Sequence, residues 1–323
     1  MRIPLGLAAA IVVLWAFGYP LGALGLTAMS PMLLLTFRFA LSAAVVGAIV
    51  VARRVALPRG RDLAHVCVAG LLAQAVQFGA VYLGLQMGVP SVIAALVIAL
   101  NPVATTMLAR PLLGVRLTRR SVVAIGLGVL AVVAACAQRL AQVGPLDAGV
   151  ALTLLGLLGL AVGGVYQQRF CSHIDAMASN AVQLGIATVP TAVMALAIPQ
   201  SVTDPVRAAW VIPLMVLFSS ALCTTLYLRA VTMVGAASAS MLFTVIPSVS
   251  ALLSWVMLGQ RPDVGVYAGL ALGASALLVA RRGAGAARVP VRTTVARRLS
   301  VRAERSAPPR PRTPTAAANR ADP

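Results

Sequence analysis

Residues 31–52 read PMLLLTFRFALSAAVVGAIVVA, an apolar run that contains one charged residue, Arg38. A helix of this length crosses the hydrocarbon core of a bilayer. Comparable runs recur along the chain, at residues 4–26, 31–52, 64–86, 90–112, 121–140, 147–168, 177–199, 209–229, 234–257 and 264–280. The sequence therefore predicts an all-α integral membrane protein with ten transmembrane helices. The first run resembles a signal peptide, but the runs that follow favour an uncleaved helix.

The composition fits a membrane protein and excludes most soluble classes. Hydrophobic residues make up 60% of the 323 residues and charged residues 10%, with a mean hydropathy of +0.95. A soluble chain of this composition would expose large apolar patches, whereas lipid accepts them. The four cysteines are scattered singly, without metal-ligand spacing. We expect no disulfide, no metal and no cofactor.

The charge is strongly basic, and its distribution indicates topology. All 26 basic residues are Arg, and the net charge is +19. Such a balance can indicate a nucleic-acid partner, but eleven arginines lie between Arg281 and Arg320 and most others lie in short connections. With a cytoplasmic N-terminus, inside segments before the tail hold eleven arginines and outside segments three. The positive-inside rule thus predicts a plasma-membrane protein with both termini cytoplasmic and no nucleic-acid partner.

An internal repeat with an offset of 145 positions organises the chain. Tyr82 falls on Tyr227 and Pro102 on Pro247 without gaps, and further matches are Leu83 with Leu228, Leu113–Gly114 with Leu258–Gly259, Gly128 with Gly273 and Gly18 with Gly163. This offset predicts two five-helix repeats over residues 4–140 and 147–280, followed by a basic, Pro-rich disordered tail at 282–323.

An odd number of spans per repeat places the second copy in the membrane upside down. Inverted repeats are typical of secondary transporters, because two inverted halves can exchange shapes and open a cavity first on one side and then on the other. The duplication therefore indicates movement of a small solute by alternating access.

The motifs resemble the EamA-type branch of the drug/metabolite transporter superfamily. Leu14–Gly18 (LWAFG) is similar to the family's Trp-Gly segment, and Thr36–Phe39 (TFRF) to its Arg-bearing second helix. Pro102 and Pro247 precede matching apolar runs. The resemblance covers residues 4–280 and implies a ten-helix metabolite or drug carrier with a cavity between the repeats. We expect the protein to work as an exporter of a small metabolite, amino acid or drug-like solute.

No predicted span contains Asp or Glu. Ion-coupled carriers commonly use a membrane-buried carboxylate, so its absence favours facilitated movement or another route of coupling. The same absence argues against an enzyme, because neither His65 nor His173 has an evident catalytic or metal-binding partner in the sequence.

Arg38 is the one charge in the middle of a span, and two interpretations stay open. It either recognises an anion or gates the cavity, or it is a structural Arg held by carbonyls of neighbouring helices. Its counterpart at the 145 offset is Gln183, which keeps polarity without charge.

Uncharged polar and aromatic residues are candidates for lining the cavity. Gln74, Gln77 and Phe78 share a face of the third predicted helix at i, i+3 and i+4 spacing. The further candidates, beside Arg38 and Gln183, are Trp15, Tyr82, Asn101, Tyr166, Thr224, Tyr227, Ser238 and Thr244. For the Ser and Thr residues the alternative is bridging between helices, which is common in membrane bundles.

Pro102 and Pro247 are equivalent positions that we interpret as hinges, with incidental kinks as the alternative. The basic tail either contacts anionic lipid of the inner leaflet or is solvated. The functional alternatives are a lipid-processing membrane protein and a non-transporting scaffold. Besides the solute and the membrane lipids the sequence names no partner, and it leaves the oligomeric state open.

Overall fold

The computed structural model describes residues 3–87, 97–114, 119–140, 148–259 and 264–283, with Val89 and Ala94 as single positions. Within these residues the regular structure is helical, and extended backbone pairs at one isolated antiparallel bridge, between Met29 and Val202. The predicted tail lies outside the described residues from 284 onward.

The helices follow one another with short connections. In chain order they are α1 Leu5–Leu26, α2 Pro31–Ala52, α3 Arg61–Gln86, α4 Asn101–Leu113, α5 Arg119–Leu140, α6 Ala148–Phe170, α7 Ala176–Ala197, α8 Pro205–Val234, α9 Ala236–Thr244 with Ile246–Leu258, and α10 Val264–Gly283. Helix α3 contains a π-helical stretch at Leu71–Val76, and α8 contains one at Met215–Cys223. The two parts of α9 meet at a bend of 41°.

Six of these helices are long and apolar enough to cross a membrane: α1, α2, α3, α6, α7 and α8. The bent α9 is a seventh when its two parts are taken as one span. The chain is therefore an all-helical, multi-pass membrane protein over its described residues. The full count of ten spans stays a prediction.

The helix boundaries repeat along the chain with the offset seen in the sequence. Helices α2 and α7 begin and end 145 positions apart, and so do α4 and Ile246–Leu258 of α9. Each member of the second pair ends at a glycine in the left-handed conformation, with φ of 65° at Gly114 and 70° at Gly259. The π-helical stretches of α3 and α8 also overlap at this offset.

The packing of the helices is reciprocal between the two sets. Helix α2 packs on its own counterpart α7, and α5 packs on its counterpart α10. Helix α1 packs on α8, and its counterpart α6 packs on α3, the counterpart of α8. In the same way α1 packs on α9, and α6 packs on α4, the counterpart of the second part of α9. Such exchange of partners is what an approximate two-fold axis produces.

Contacts along α1 and α8 show that these helices run antiparallel. Ile11 accepts a hydrogen bond from Cys223, and Gly18 lies against Ser219. Gly25 lies against Val211.

The counterpart pair, α6 and α3, is antiparallel as well. Gly156 packs against Val81, and Gly163 packs against Ala73.

Helices α2 and α7 are also antiparallel. The start of α2 lies beside the residues after α7, where Ser30 and Ser201 are bonded. Further along, Ala43 lies near Gly185. A helix and its counterpart at the 145 offset thus point in opposite directions.

Glycines set the distance between α3 and α6. A Cβ built on Gly159 would lie 2.7 Å from the Leu72 carbonyl oxygen and 2.9 Å from the Val76 side chain. Gly84, Gly156 and Gly163 meet backbone or side-chain atoms equally closely. Small residues at such positions let two helix backbones approach within a membrane, where dispersion contacts drive association.

We predict that Gly159→Ala destabilises the protein. The added methyl group meets backbone atoms of α3 that cannot move aside, so overpacking costs about 1–3 kcal/mol and outweighs the gain in helix propensity of about 1 kcal/mol. Thermal unfolding of the detergent-solubilised protein measures the change.

The matched control is Gly47→Ala in α2, where an added Cβ meets no atom within 4 Å. It should leave the unfolding temperature unchanged or raise it. Equal unfolding temperatures for the two variants would contradict the close approach of α3 and α6.

Candidate functional site

A small cavity lies where α1, α3, α6, α7 and α8 meet. Six of the residues predicted from the sequence line it, namely Trp15, Gln74, Phe78, Gln183, Thr224 and Tyr227. The remaining lining residues are Ala73, Leu160, Gly163, Gly164, Gln167, Leu228 and Val231. The structure thus brings together polar and aromatic side chains from both halves of the chain.

Aromatic rings form one wall of the cavity. Trp15 packs edge-to-face on Tyr227 and Phe243, with ring centroids 5.2 and 4.7 Å apart, and the other two rings are 5.7 Å apart. This trio joins α1, α8 and α9 through apolar contact with favourable edge-to-face geometry. Trp15 and Tyr227 of this trio line the cavity.

Amide side chains form the opposite wall. The Gln183 Nε2 atom donates to Gln167 Oε1 at 2.9 Å and to Ser179 Oγ at 3.1 Å. The Gln183 Oε1 atom is buried and has no partner among the described residues. An unpaired buried acceptor at a cavity costs free energy, which a solute carrying an N–H or O–H group would recover.

The π-helical stretch of α3 separates two glutamines that the sequence placed on one face. Gln74 and Phe78 line the cavity, four residues apart. The wider π turn brings i and i+4 together but turns i+3 away. Gln77 is absent from the lining, and its backbone lies against Gly156 and Gly159 of α6. The Gln77 Oε1 atom is buried without a described partner.

Arg38 is 3% exposed and lies behind Phe78, outside the lining of the cavity. Its Nε atom donates to Ser220 Oγ at 2.7 Å and its Nη2 atom to Ser219 Oγ at 3.1 Å. The guanidinium carbon lies 4.4 Å from the centroid of the Phe78 ring. Hydroxyl groups and an aromatic face, rather than helix carbonyls, therefore hold this side chain.

Arg38 has no acidic partner among the described residues. The ion pairs found there join His173 to Asp62 and Arg207 to Asp204. The remaining described carboxylate, that of Asp175, caps α7 by accepting from two backbone N–H groups. The positive charge inside the bundle is thus solvated by neutral groups alone.

Tyr82 and Asn101 are buried near the cavity without lining it. The Tyr82 hydroxyl lies close to Arg38 and against Gly22. Asn101 Oδ1 accepts from Thr105 at 2.9 Å, its Nδ2 atom has no described partner, and the residue lies beside the Tyr227 hydroxyl.

Three other predicted residues lie away from the cavity. The Tyr166 hydroxyl is bonded to His65 Nδ1 at 2.7 Å, near the C-terminal end of α6. Thr244 donates to the Met241 carbonyl within its own helical segment and packs against Gly128 and Gly273. Ser238 is half-buried in α9.

Both predicted hinge prolines occupy the first turn of a helical segment rather than its middle. Pro102 follows Asn101 at the start of α4, and Pro247 follows Ile246 directly after the bend of α9. The first turn is where proline loses no hydrogen bond. Their role as hinges stays a prediction.

The two ends of the bundle are closed differently. At one end, which we call the Ser30 end, residues 27–30 and 201–204 are joined by backbone hydrogen bonds: Ser30 N to Ser201 O, and Thr203 N and Asp204 N to Ala28 O. The Ser30 and Ser201 hydroxyls add a contact of 3.1 Å.

At the opposite end, the Asp62 end, His173 forms an ion pair with Asp62 at 3.2 Å. These side chains are 61% and 46% exposed, and exposed pairs contribute little stability. Side-chain hydrogen bonds also join helices at this end: Tyr166 with His65, Arg169 with the Leu112 carbonyl, and Gln168 with the Ala236 backbone N–H. The cavity lies toward this end, because Gln167 is one turn before Cys171.

The cavity in this conformation has room for about one or two water molecules. Pockets that bind metabolites typically measure about 300–1,000 Å³. The described conformation is therefore closed around the site.

Sequence reasoning pointed to Gln167 at the end of α6 as a further polar side chain for the cavity, and Gln167 lies in its lining. It missed the Arg38 partners Ser219 and Ser220. The serine pair has no signal in the sequence, since only the packing of α2 against α8 brings it to Arg38.

The chain is similar to known membrane transporters. The sequence profile of the EamA-like transporter family matches residues 2–136 and again residues 147–282. The uncharacterized inner membrane transporter YedA of Escherichia coli strain K12 is 26% identical over 256 residues, which is 78% of this chain and 81% of YedA. A protein known from a crystal structure superposes with a TM-score of 0.73 at 19% identity, covering 91% of this chain and 97% of that one.

We predict that Ser220→Ala lowers the free energy of unfolding by about 1.5–3 kcal/mol, the value of a hydrogen bond to a buried charge. The substitution removes the acceptor of Arg38 Nε and leaves the backbone bond from Asn180 to residue 220 in place. The control is Ser275→Ala on α10, where the hydroxyl is exposed and bonds within its own helix. An unfolding temperature for Ser220→Ala equal to that of the control would contradict the assigned contact.

Proposed function

The chain belongs to the EamA-like transporter family, and on that premise we propose that it exports a small metabolite, amino acid or drug-like solute across the plasma membrane by alternating access. The family match and the apolar helices make the protein a multi-pass membrane transporter. The proposal adds direction and mechanism. It assigns the two moving units to residues 4–140 and 147–280.

The observation that carries the mechanism is the reciprocal packing of antiparallel helices. Helix α2 runs against its counterpart α7, and the α1–α8 contact is repeated by α6–α3. This packing supports the interpretation of the two halves as inverted repeats. Each half can adopt the shape of the other at similar energy, which is the physical basis of alternating access.

The difference between the two ends supports an inward-oriented state. The arginine distribution puts the Asp62 end, with Arg53, Arg54, Arg59 and Arg61, in the cytoplasm. The cavity then lies on the cytoplasmic side, below an outer end closed by backbone hydrogen bonds. Opening of the inner end requires the loss of the His173–Asp62 ion pair and of side-chain contacts such as that of His65 with Tyr166. Opening of the outer end requires the loss of the Ser30–Ser201 contacts.

The first test compares metabolites in cells and medium for strains with and without the gene. We expect the solute to be depleted in expressing cells. Gly164→Leu should reduce this depletion at least about tenfold, because the leucine side chain fills the space that the solute would occupy. Gly164 lines the cavity, and an added Cβ there meets only ordinary contacts at 3.8 and 3.9 Å. Unchanged solute distribution in every comparison would contradict transport.

The control for this substitution is Gly126→Leu on α5, where an added Cβ meets nothing within 4 Å. It should leave both expression and solute export at the level of the unchanged protein. Equal loss of export in the two variants would mean that the cavity is not the route.

The second test locks the Ser30 end with a disulfide. Ser30→Cys with Ser201→Cys places two thiols where the hydroxyls are 3.1 Å apart and the backbones are bridged, a separation that suits cross-linking. If the outer end must open, oxidation abolishes solute movement in proteoliposomes and reduction restores it. Continued transport by the cross-linked protein would exclude opening at this end.

The two single-cysteine variants serve as controls for oxidation of native cysteines. Among these, Cys171 is buried, and burial followed by the nearby Asp62 raises the pKa of its thiol to about 11. It is therefore a poorly reactive thiol at neutral pH.

A further inference from the structure

The cavity has a counterpart in the other half of the molecule, at positions shifted by 145. Trp15 and Leu160 occupy equivalent positions at this offset, so both belong to the cavity and to its counterpart. The other lining residues have partners elsewhere: Gln74 corresponds to Ser219, Gln183 to Arg38, and Tyr227 to Tyr82. The counterpart surface therefore contains a full positive charge where the cavity has a neutral amide.

This counterpart surface is closed by contacts among its own members. Arg38 is bonded to Ser219 and Ser220. The Tyr82 hydroxyl lies 3.2 Å from the Cβ position of Gly22, and the Ser219 hydroxyl lies 3.0 Å from that of Gly18. The equivalent residues on the cavity side, Gln183 and Gln74, have no such bond with each other and line the small cavity instead.

We propose that the counterpart surface is a second binding site, exposed when the two halves exchange shapes, and that Arg38 there binds the anionic group of the solute. This inference rests on the proposed alternating access. It assigns the solute to the class of monovalent organic anions with a flat apolar body. The body is held by the Trp15 ring, which both sites share.

Charge decides between an anion and a cation as the solute. Aromatic rings such as Trp15, Phe78 and Tyr227 can bind cations. However, the Arg38 guanidinium lies 4.4 Å from the centroid of Phe78, on which the cavity also borders. With no carboxylate beside it among the described residues, this charge repels a cation and attracts an anion in both states.

An anionic solute also supplies the driving force that the sequence lacks. A bacterial or eukaryotic plasma membrane is negative inside, so a monovalent anion that leaves the cell moves down the electrical gradient. Each 100 mV supports about a fiftyfold concentration ratio for one charge. Export of an anion by this route needs no membrane-buried carboxylate for proton or sodium coupling, and the predicted spans contain none.

The test measures transport in proteoliposomes of the full chain under a potential set with potassium and valinomycin. The probes are hippurate and benzenesulfonate with their neutral amides, chloride as an inorganic anion, and tetraphenylphosphonium as a cation. We expect efflux of the organic anions to rise with an inside-negative potential. We expect Arg38→Gln to lower the ratio of anion to amide transport at least about tenfold.

Arg38→Gln places at position 38 the residue that the counterpart position, Gln183, already carries, so the variant keeps hydrogen-bonding capacity while it loses charge. Arg38→Lys should retain the preference for anions. Arg59→Gln, which removes an exposed charge from the connection before α3, should change neither rate nor ratio.

The outcomes separate this inference from the proposed function. Transport of amides or of the cation without any organic anion, an unchanged ratio in Arg38→Gln, or a preference for chloride over the organic anions overturns the inference and leaves the transporter in place. Movement of no probe of any charge, together with unaltered metabolites in expressing cells, overturns both. If Arg38→Gln yields no folded protein, two other measurements test the inference. These are the ratio of anion to amide transport in Arg38→Lys and the dependence of anion efflux on potential in the unchanged protein.

Discussion

The close antiparallel contact of α3 with α6 is the constraint on which the rest of the structure depends. Lipid gives apolar helices no reason to associate, so the contact must come from dispersion between surfaces that fit. Glycines at 156, 159 and 163 let the α6 backbone approach α3 to a distance that no larger residue permits. This contact fixes where Gln74 and Phe78 lie, and with them one wall of the cavity. It also joins the first half of the chain to the second.

The equivalent contact, α1 with α8, is made with larger groups. Ile11 and Cys223 meet where the other pair has Gly156 and Phe78. The two halves are thus alike in which helices contact each other but not in how their side chains pack, and this difference lets one side hold a cavity while the other is filled. A perfectly symmetric protein would have two states of equal energy. Unequal side chains at equivalent positions set which state is favoured and what each state binds.

Much of the fold could be predicted from the sequence, because hydropathy and repetition are local or periodic signals. The predicted run at 31–52 coincides with α2, and the 145 offset reappears in the helix boundaries. The candidate site was harder to predict from the sequence. The π-helical stretch in α3 turned Gln77 out of the cavity, although spacing along a regular helix put it beside Gln74. No pattern in the sequence indicated this stretch, and none could pair Arg38 with serines that are about 180 residues away.

The packing around Arg38 does not explain why this residue carries a charge. Polarity alone would serve the hydrogen bonds to Ser219 and Ser220, and the counterpart residue Gln183 makes bonds of the same kind without a charge. A charge inside a membrane span costs roughly 2.5–3.5 kcal/mol even on a lenient scale. Neutral hydroxyls and the Phe78 face reduce that cost but do not return it as stability. A structural role requires only the donors, whereas binding of an anion requires the charge.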